Sequence, residues 1–496
     1  MAPRRKPMPA TDLTGGLNLG KDPIYLTDKE SPNLLLVRFH KGLIKKMWGQ
    51  GAFASLTTER VMDIYTYKQY DADEYLICCG VDHAYQYTAG AWAKISGAGP
   101  VFTGDASNIF FTTTFNNLFH VTNGKDLVQA WDGTTWTTPA ANIITQFMVP
   151  FYSRLVTFNT TEGGAAYPSR LRWSIIGAST MTGTGSGAID ILDTQGAGTG
   201  LAVLGDRLFV FKEDSIWECY YVGGTDVFKV RKIIDKIGTF AGKTIVNTGG
   251  YLCFFGSDDI YVFDGSQAVP IGSNLYPYLF ETSERIINSK MLNRAVAVYD
   301  YESKNYICAL PTISSDDPYL LLYYDLNGKV FSRRYKSVTS LGFYTDRAGG
   351  TTWTAAVGAW TAAAWATPWR TGALPLGMPT LLFGGSTGTM EREDKITKSD
   401  ELLTWESKDF IVAHNSRFVE VRYLAKGDPF EVSYSYDGGI VWTDPKTLTP
   451  LTDELAEVVD ELNDETMKFR VRIRTLQQDF ELAWIEPWYI PRARPV

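Results

Sequence analysis

The chain has 496 residues, of which 45% are hydrophobic and 21% charged, and its formal net charge is −8. The composition excludes a wholly disordered chain, and the acidic balance argues against a protein whose main task is gripping phosphate groups, because such proteins carry a basic surplus. Aromatic residues make up 14% and glycines number 45. This combination is typical of an all-β protein with many turns.

The N-terminal residues include Arg4, Arg5 and Lys6 among prolines. No apolar stretch follows them, so we expect no signal peptide, and no apolar run reaches the roughly 18 residues of a membrane helix. The basic arm is either a solvated tail or a docking arm on a neighbouring protein. An odd number of cysteines in mostly apolar runs predicts buried free thiols and maturation in a reducing cytoplasm: Cys78, Cys79, Cys219, Cys253 and Cys308.

Internal repeats dominate the middle of the chain. GDRLFVFKEDSIW, which begins at Gly205, matches the segment from Gly249, and GVDHAYQYTAGAW, from Gly80, matches the segment from Gly124. Both pairs have an offset of about 44 residues, which is typical of β-propeller blades. Asp-Gly and Asn-Gly turns separate the short apolar runs. We predict seven blades near 58–98, 105–140, 145–195, 198–235, 238–275, 288–335 and 336–395, with six or eight blades left open.

Two segments interrupt this rhythm. Residues 181–200 are rich in glycine but lack the lysine and spacing of a phosphate-binding loop, so we interpret them as a connection between blades. Residues 351–375 form a Trp-rich insertion, which is either a hairpin packed on its own blade or a patch that docks another subunit. Its tryptophans are the candidate subunit or partner contacts: Trp353, Trp360, Trp365 and Trp369.

The sequence pattern changes after Asp400, where charged residues alternate with apolar ones in a clear period of two. They predict a separate C-terminal β-sandwich. The predicted organisation is therefore an N-terminal arm with the first strands (1–50), a propeller with its insertion (51–400) and the sandwich (401–496). The acidic stretch from Leu451 to Glu465 is the best candidate for a helix.

One short motif in the predicted sandwich suggests an enzymatic activity. Ser435, Asp437, Gly439 and Trp442 in SYSYDGGIVWTD resemble the Asp-box of sialidase propellers. A sialidase normally has such boxes in several blades, together with converging arginines and a Tyr–Glu pair, whereas this box is solitary and outside the blades. We therefore interpret these four residues as a structural turn, in which Asp437 binds backbone N–H groups. A glycosidase remains the weakest of three functional hypotheses.

Other candidate sites are weaker still. Gly384, Ser386 and Gly388 match G-x-S-x-G, but no helix is predicted after them, so a glycine-rich hairpin turn is the better interpretation. The four histidines, His40, His83, His120 and His414, are not spaced as metal ligands. We predict no catalytic residue, no metal site and no cofactor, and hence no enzyme.

A family resemblance covers most of residues 13–335 in order. It begins with Gly15-Gly16-Leu17-Asn18, Asp22-Pro23 and Gly42-Leu43-Ile44-Lys45, and it continues through LFVFKEDSIW and FFGSDDIYVFDG. These segments resemble phage virion proteins of the tail-hub or nozzle type. The resemblance implies a β-propeller subunit that forms a symmetric ring, commonly a hexamer, and is assembled in the host cytoplasm.

In such a virion the ring would join an adaptor or portal-side ring to distal tail parts or fibres, and DNA would pass through the lumen without specific binding. The family supplies no catalytic residues. A second hypothesis from the fold types is a tail protein that binds host glycan through the sandwich or the Trp-rich insertion, because propellers and sandwiches both host that function.

Overall fold

The computed structural model describes residues 4–56, 59–70, 74–88, 90–95, 102–140, 142–345, 379–477 and 479–491. The chain divides into two compact units, of which one comprises Gln50–Lys243 and Ser337–Ile396, and the other Met1–Gly49, Thr244–Lys336 and Thr397–Val496. Five strands precede the first blade: β1 (Lys6–Pro7), β2 (Leu34–Leu35), β3 (Val37–His40), β4 (Leu43–Lys46) and β5 (Trp48–Phe53).

Blades one to four are four-stranded antiparallel sheets in chain order. Blade one contains β6 (Asp63–Lys68), β7 (Glu74–Cys79), β8 (Ala84–Thr88) and β9 (Ala91–Lys94). Blade two contains β10 (Phe111–Phe115), β11 (Leu118–Thr122), β12 (Gln129–Trp131) and β13 (Trp136–Thr137). Blade three contains β14 (Ile143–Phe151), β15 (Arg154–Glu162), β16 (Ala165–Trp173) and β17 (Gly187–Asp190). Blade four contains β18 (Gly198–Leu204), β19 (Arg207–Lys212), β20 (Ser215–Tyr221) and β21 (Phe228–Asp235).

Three further sheets complete the propeller. Blade five contains β22 (Val246–Asn247), β23 (Leu252–Phe255), β24 (Ile260–Phe263) and β25 (Ala268–Pro270). Blade six contains β26 (Val296–Asp300), β27 (Asn305–Pro311), β28 (Pro318–Asp325) and β29 (Val330–Tyr335). Blade seven contains β30 (Ser340–Thr345), β31 (Pro379–Gly384) and β32 (Met390–Lys398), and its fourth strand is β5 from the start of the chain.

The prediction of a seven-bladed, all-β propeller is therefore confirmed. Helical structure in the described residues is limited to α1 (Tyr276–Leu279) and to 3-10 turns at Gly242–Thr244, Ser273–Leu275 and Ser289–Arg294. The predicted domain limits at residues 50 and 400 stay a prediction.

The core of the blades lies between successive sheets. One cluster joins blades three and four through buried side chains such as Phe158, Leu171, Trp217 and Phe228. A second joins blades one and two around Tyr67, Phe119 and Trp131. Strands that alternate or run apolar bury both faces in this arrangement, which is why short strands suffice for each blade.

The C-terminal strands are β33 (Leu403–Glu406), β34 (Phe410–Gly427), β35 (Phe430–Ser435), β36 (Lys446–Leu448), β37 (Ala456–Thr475) and β38 (Phe480–Pro491). The two layers expected of a sandwich belong here to one nearly closed sheet, because β37 pairs with β34 over its first part and with β33 and β35 over its last. Strands β1 to β4 complete this sheet. The helix predicted over Leu451 to Glu465 is wrong, since β37 begins at Ala456 and buries Asp460 within a pleated strand.

Candidate functional site

The Asp-box residues form a tight turn after β35. Asp437 Oδ1 accepts hydrogen bonds from Ser435 Oγ at 2.7 Å and from the backbone N–H groups of Ile440 and Val441, both at 3.0 Å. The backbone N–H of Val441 and the Ser435 hydroxyl hold the pKa of Asp437 below its usual range. Gly438 and Gly439 adopt positive φ values of 86° and 92°, which side chains rarely tolerate.

The tryptophan of the box covers this turn. Trp442 Nε1 donates to the carbonyl of Gly439 at 3.0 Å, and the guanidinium of Arg472 lies 3.6 Å from the centre of the Trp442 ring. Arg472 is itself paired with Glu406, whose carboxylate oxygen lies 2.8 Å away. These contacts give the box a local structural part in the C-terminal sheet. The four tryptophans of the insertion, Trp353, Trp360, Trp365 and Trp369, lie outside the described residues.

A carboxylate and histidine cluster in blade one was missed by the sequence analysis. Ligand atoms of Glu59, Asp82 and His83 lie within 4.8 Å of one another. Glu59 accepts hydrogen bonds from the backbone N–H groups of Asp82 and His83, from His83 Nδ1 at 2.6 Å and from the Tyr85 hydroxyl at 2.7 Å. Burial opposes ionisation, but these bonds hold the pKa of Glu59 below its ordinary value of 4.5. The Glu59 carboxylate therefore links the segment before β6 to the turn after β7.

A serine and a histidine also meet between the second and third blades, with His120 in β11 and Ser179 in the connection from β16 to β17. His120 Nε2 lies 2.6 Å from Ser179 Oγ, and its Nδ1 lies 3.1 Å from the carbonyl of Leu118. Both side chains are buried, and burial lowers the pKa of His120 to about 4. The third partner is a backbone carbonyl where a catalytic triad has a carboxylate, so the pair lacks the group that would stabilise an imidazolium. Ser386 of the G-x-S-x-G segment lies in the hairpin between β31 and β32, which is a turn and no helix start.

The C-terminal sheet has two edges at the same level with opposite charge. In one row across the sheet, Lys6 of β1 faces Tyr489 of β38, Tyr489 faces Phe418 of β34, and Phe418 faces Asp464 of β37. Within the part of the chain that the structure describes, β1 pairs with β38 alone, and residues 456–469 of β37 pair with β34 alone. Each strand therefore presents a backbone edge that no other described strand covers.

The charges on these edges are complementary. The β1 edge carries the exposed Arg4 and Lys6, and Arg5 lies beside them with its guanidinium 3.0 Å from Glu420. The β37 edge carries the exposed Glu461 and Asp464, with Val459 between acidic residues and 45% exposed. A charged edge strand resists random strand pairing, yet it accepts a partner strand of opposite charge. We define the β1 edge as residues 4–7 and the β37 edge as residues 457–464.

No family model and no curated protein sequence matches the chain. Among solved structures, the chain is similar to the extracellular domain of a hybrid two-component system from B. thetaiotaomicron, at 9% identity and a TM-score of 0.42, covering 84% of this chain and 49% of that one. It is also similar to YCF48 from Cyanidioschyzon merolae, at 10% identity and a TM-score of 0.39, over 70% and 98% of the two chains.

A third similar structure, the extracellular domain BT4673 from B. thetaiotaomicron, has 6% identity and a TM-score of 0.41, with coverage of 76% and 43%. The chain thus spans less than half the length of the two B. thetaiotaomicron proteins it matches. Among the helices of the described residues, none is long and apolar enough to cross a membrane.

Proposed function

We propose that this protein is a structural subunit of a bacteriophage tail, of the nozzle or hub type, and that copies of it assemble into a symmetric ring. The observation that carries the proposal is the pair of uncovered, oppositely charged strand edges at one level of the C-terminal sheet. The sequence resemblance supplies the virion context, and the seven-bladed propeller fits the fold that this family implies. The site of action is the virion tail, after assembly in the host cytoplasm.

The ring forms when the β1 edge of one copy adds to the β37 edge of the next. This contact joins different surfaces of identical subunits, and such head-to-tail contacts close into a ring when the rotation between copies is a whole fraction of a turn. Backbone hydrogen bonds between the edges give affinity, while attraction between the basic β1 edge and the acidic β37 edge, with Lys6 level with Asp464, sets the register. The number of subunits follows from the angle between neighbours, with six expected from the family resemblance.

The ring connects the adaptor or portal side of the tail to its distal parts or fibres, and its lumen conducts DNA. Cationic side chains in the lumen would bind DNA phosphates, release counterions and so retain the passing DNA. A net charge of −8 suits the task because it repels the phosphates instead. We expect no specific DNA binding by the isolated protein.

The test is the oligomeric state of charge-reversed variants of the full chain. Light scattering after size exclusion and negative-stain imaging should show rings for the native protein, and mostly monomers for Lys6→Glu and for Asp464→Lys, because each places like charges across the contact. The double variant Lys6→Glu/Asp464→Lys restores opposite charges and should regain rings.

The matched control is Glu284→Lys, which reverses an exposed acidic residue away from both edges and should leave assembly unchanged. Native protein that stays monomeric at high concentration, alone and with purified tail neighbours, would contradict the proposal. Rings that persist in both single variants would show that another surface makes the contact.

A further inference from the structure

Residues of blades one to three border a cleft of about 400 Å³. Its lining includes Tyr70, which follows β6, Asn116 in the turn after β10, and Tyr152 and Ser153 in the turn after β14. A volume of this size falls within the range of about 300–1,000 Å³ that small-ligand sites occupy. The cleft belongs to the unit that contains blades one to four, whereas the sheet edges of the proposed assembly belong to the other unit.

The floor of the cleft is held rigidly by hydrogen bonds between the turns. Asn116 Nδ2 donates to the carbonyl of Gly177 at 2.8 Å, and the backbone N–H of Gly177 donates to the carbonyl of Ser153 at 2.7 Å. On the other side, the backbone N–H of Tyr70 donates to Asn117 Oδ1 at 2.7 Å. The site is thus formed before any ligand arrives, which lowers the entropic cost of binding.

Tyr152 occupies a left-handed backbone position at which a bulky residue is unusual. Both two-residue turns have positive φ at their central positions, with 48° and 60° at Asn116 and Asn117 and 46° and 54° at Tyr152 and Ser153. Asparagine tolerates this left-handed region, whereas a bulky residue there is an outlier. Strain of this kind concentrates at functional sites, which makes Tyr152 a candidate for a role beyond folding the turn.

The Tyr152 ring packs against other aromatic rings beside the cleft. It stacks on Tyr221 with ring centres 4.8 Å apart and planes inclined by 10°. The two residues are 46% and 49% exposed, and Tyr70 beside the cleft is 81% exposed. The exposed aromatic rings bring hydroxyl groups with them, and the lining adds the side-chain carbonyl of Asn116 and the hydroxyl of Ser153.

None of the described residues that line the cleft carries a charge. Single-stranded nucleic acid needs cationic side chains beside its stacking platform, so this lining does not suit it. A flat aromatic face with hydroxyl and amide groups around it complements the C–H face and the hydroxyl rim of a sugar ring. We propose that this cleft binds a neutral saccharide, with one sugar ring packed against Tyr152.

The experiment is calorimetric titration of the full chain with neutral oligosaccharides of glucose, mannose, galactose and N-acetylglucosamine. We expect at least one of them to bind, and Tyr152→Asn to weaken that affinity at least about tenfold. The same variant should melt at an equal or higher temperature, because asparagine suits the left-handed turn. A purely structural role for Tyr152 would give the opposite pattern, with a lower melting temperature and unchanged binding.

Two further variants complete the test. Tyr221→Ala should also weaken binding, since it removes the support of the Tyr152 ring, while Tyr25→Ala, which removes a tyrosine 75% exposed elsewhere, should not. Failure of all four neutral oligosaccharides at millimolar concentration would overturn the proposal. Tighter binding of an anionic polysaccharide such as polygalacturonate would overturn it as well, because the lining offers no cation.

Discussion

The blades and the C-terminal sheet are both antiparallel β structure with buried apolar side chains, but the C-terminal sheet adds an ion network centred on a fully buried aspartate. In the blades, apolar clusters such as that of Phe158, Trp217 and Phe228 fill the space between sheets. In the C-terminal sheet, Asp409 is fully buried and pairs with Arg470 at 2.6 Å and with Lys468 at 2.9 Å. Apolar packing tolerates many substitutions of similar volume, whereas a buried ion network requires each partner in place. The second region is therefore more sharply specified and more easily broken.

The largest effect is expected where a buried charge loses its partner. Asp409→Ala leaves the Arg470 guanidinium, 8% exposed, without its closest carboxylate, and should lower the free energy of unfolding by about 3–5 kcal/mol. Urea denaturation measures the change. Asp453→Ala, at an exposed loop position, is the control and should change stability little. A loss of under about 1 kcal/mol for Asp409→Ala would mean that the two regions do not differ as described.

The second effect is a pH dependence that originates in the blades. Folding lowers the pKa of His120 from 6.5 to about 4, so the unfolded chain binds a proton first. The contribution of His120 to the free energy of unfolding is fully present above about pH 6.5, and about 3 kcal/mol should be lost as the pH approaches 4. His120→Gln should flatten this part of the profile of unfolding free energy against pH. The same substitution at the exposed His414 should leave the profile unchanged, and equal slopes in all three proteins would disprove the assignment.

A smaller effect is expected at the carboxylate of blade one. Glu59→Gln places an amide N–H₂ where backbone donors now point, and should cost about 1–3 kcal/mol at pH 7. The lowered pKa of Glu59 contributes stability above pH 4.5 that is lost as the pH falls through the folded value. The variant should lose that acid sensitivity in thermal melts, while Glu431→Gln at an exposed strand position retains it. Full acid sensitivity in Glu59→Gln would contradict this account.

The smallest effect is expected in the Asp-box. Asp437→Ala removes the acceptor of the Ser435, Ile440 and Val441 bonds, but the turn is exposed and water replaces the lost partner. We expect a slight fall in melting temperature and unchanged oligomeric state. Asp444→Ala, also exposed, is the comparison. A drop as large as that of Asp409→Ala would mean that this turn organises the whole sheet.

The blades could be predicted because each repeats a local pattern. Glycines and acids recur at about 44 residues, and Asp132-Gly133 and Asp264-Gly265 mark turns that need left-handed glycine. The C-terminal sheet departs from the prediction at Leu451 to Glu465, where the acidic stretch was the best candidate for a helix. The strand forms instead because Asp460 is buried between Tyr434, whose hydroxyl donates to it at 2.6 Å, and Lys446.

The proposed sites could not be predicted from the sequence, because they depend on contacts between distant parts of the chain and on backbone angles. The charged edges exist only because residues near the two ends of the chain join one sheet, with Lys6 opposite Tyr489, and no local pattern reveals such pairing. The cleft had one signal, the Tyr152-Ser153 pair between two apolar runs where a hairpin favours Asn-Gly. That signal becomes interpretable only once the positive φ values are known.

The use of β5 as the fourth strand of blade seven has a consequence for how the protein is made. Strand β5 ends at Phe53, whereas its neighbour β32 begins at Met390. At about 5–20 residues per second, the ribosome leaves the early strand waiting on the order of tens of seconds for its mate. During that interval the open strand is exposed to wrong partners, so the yield of correctly closed molecules should depend on the rate of synthesis and on chaperones.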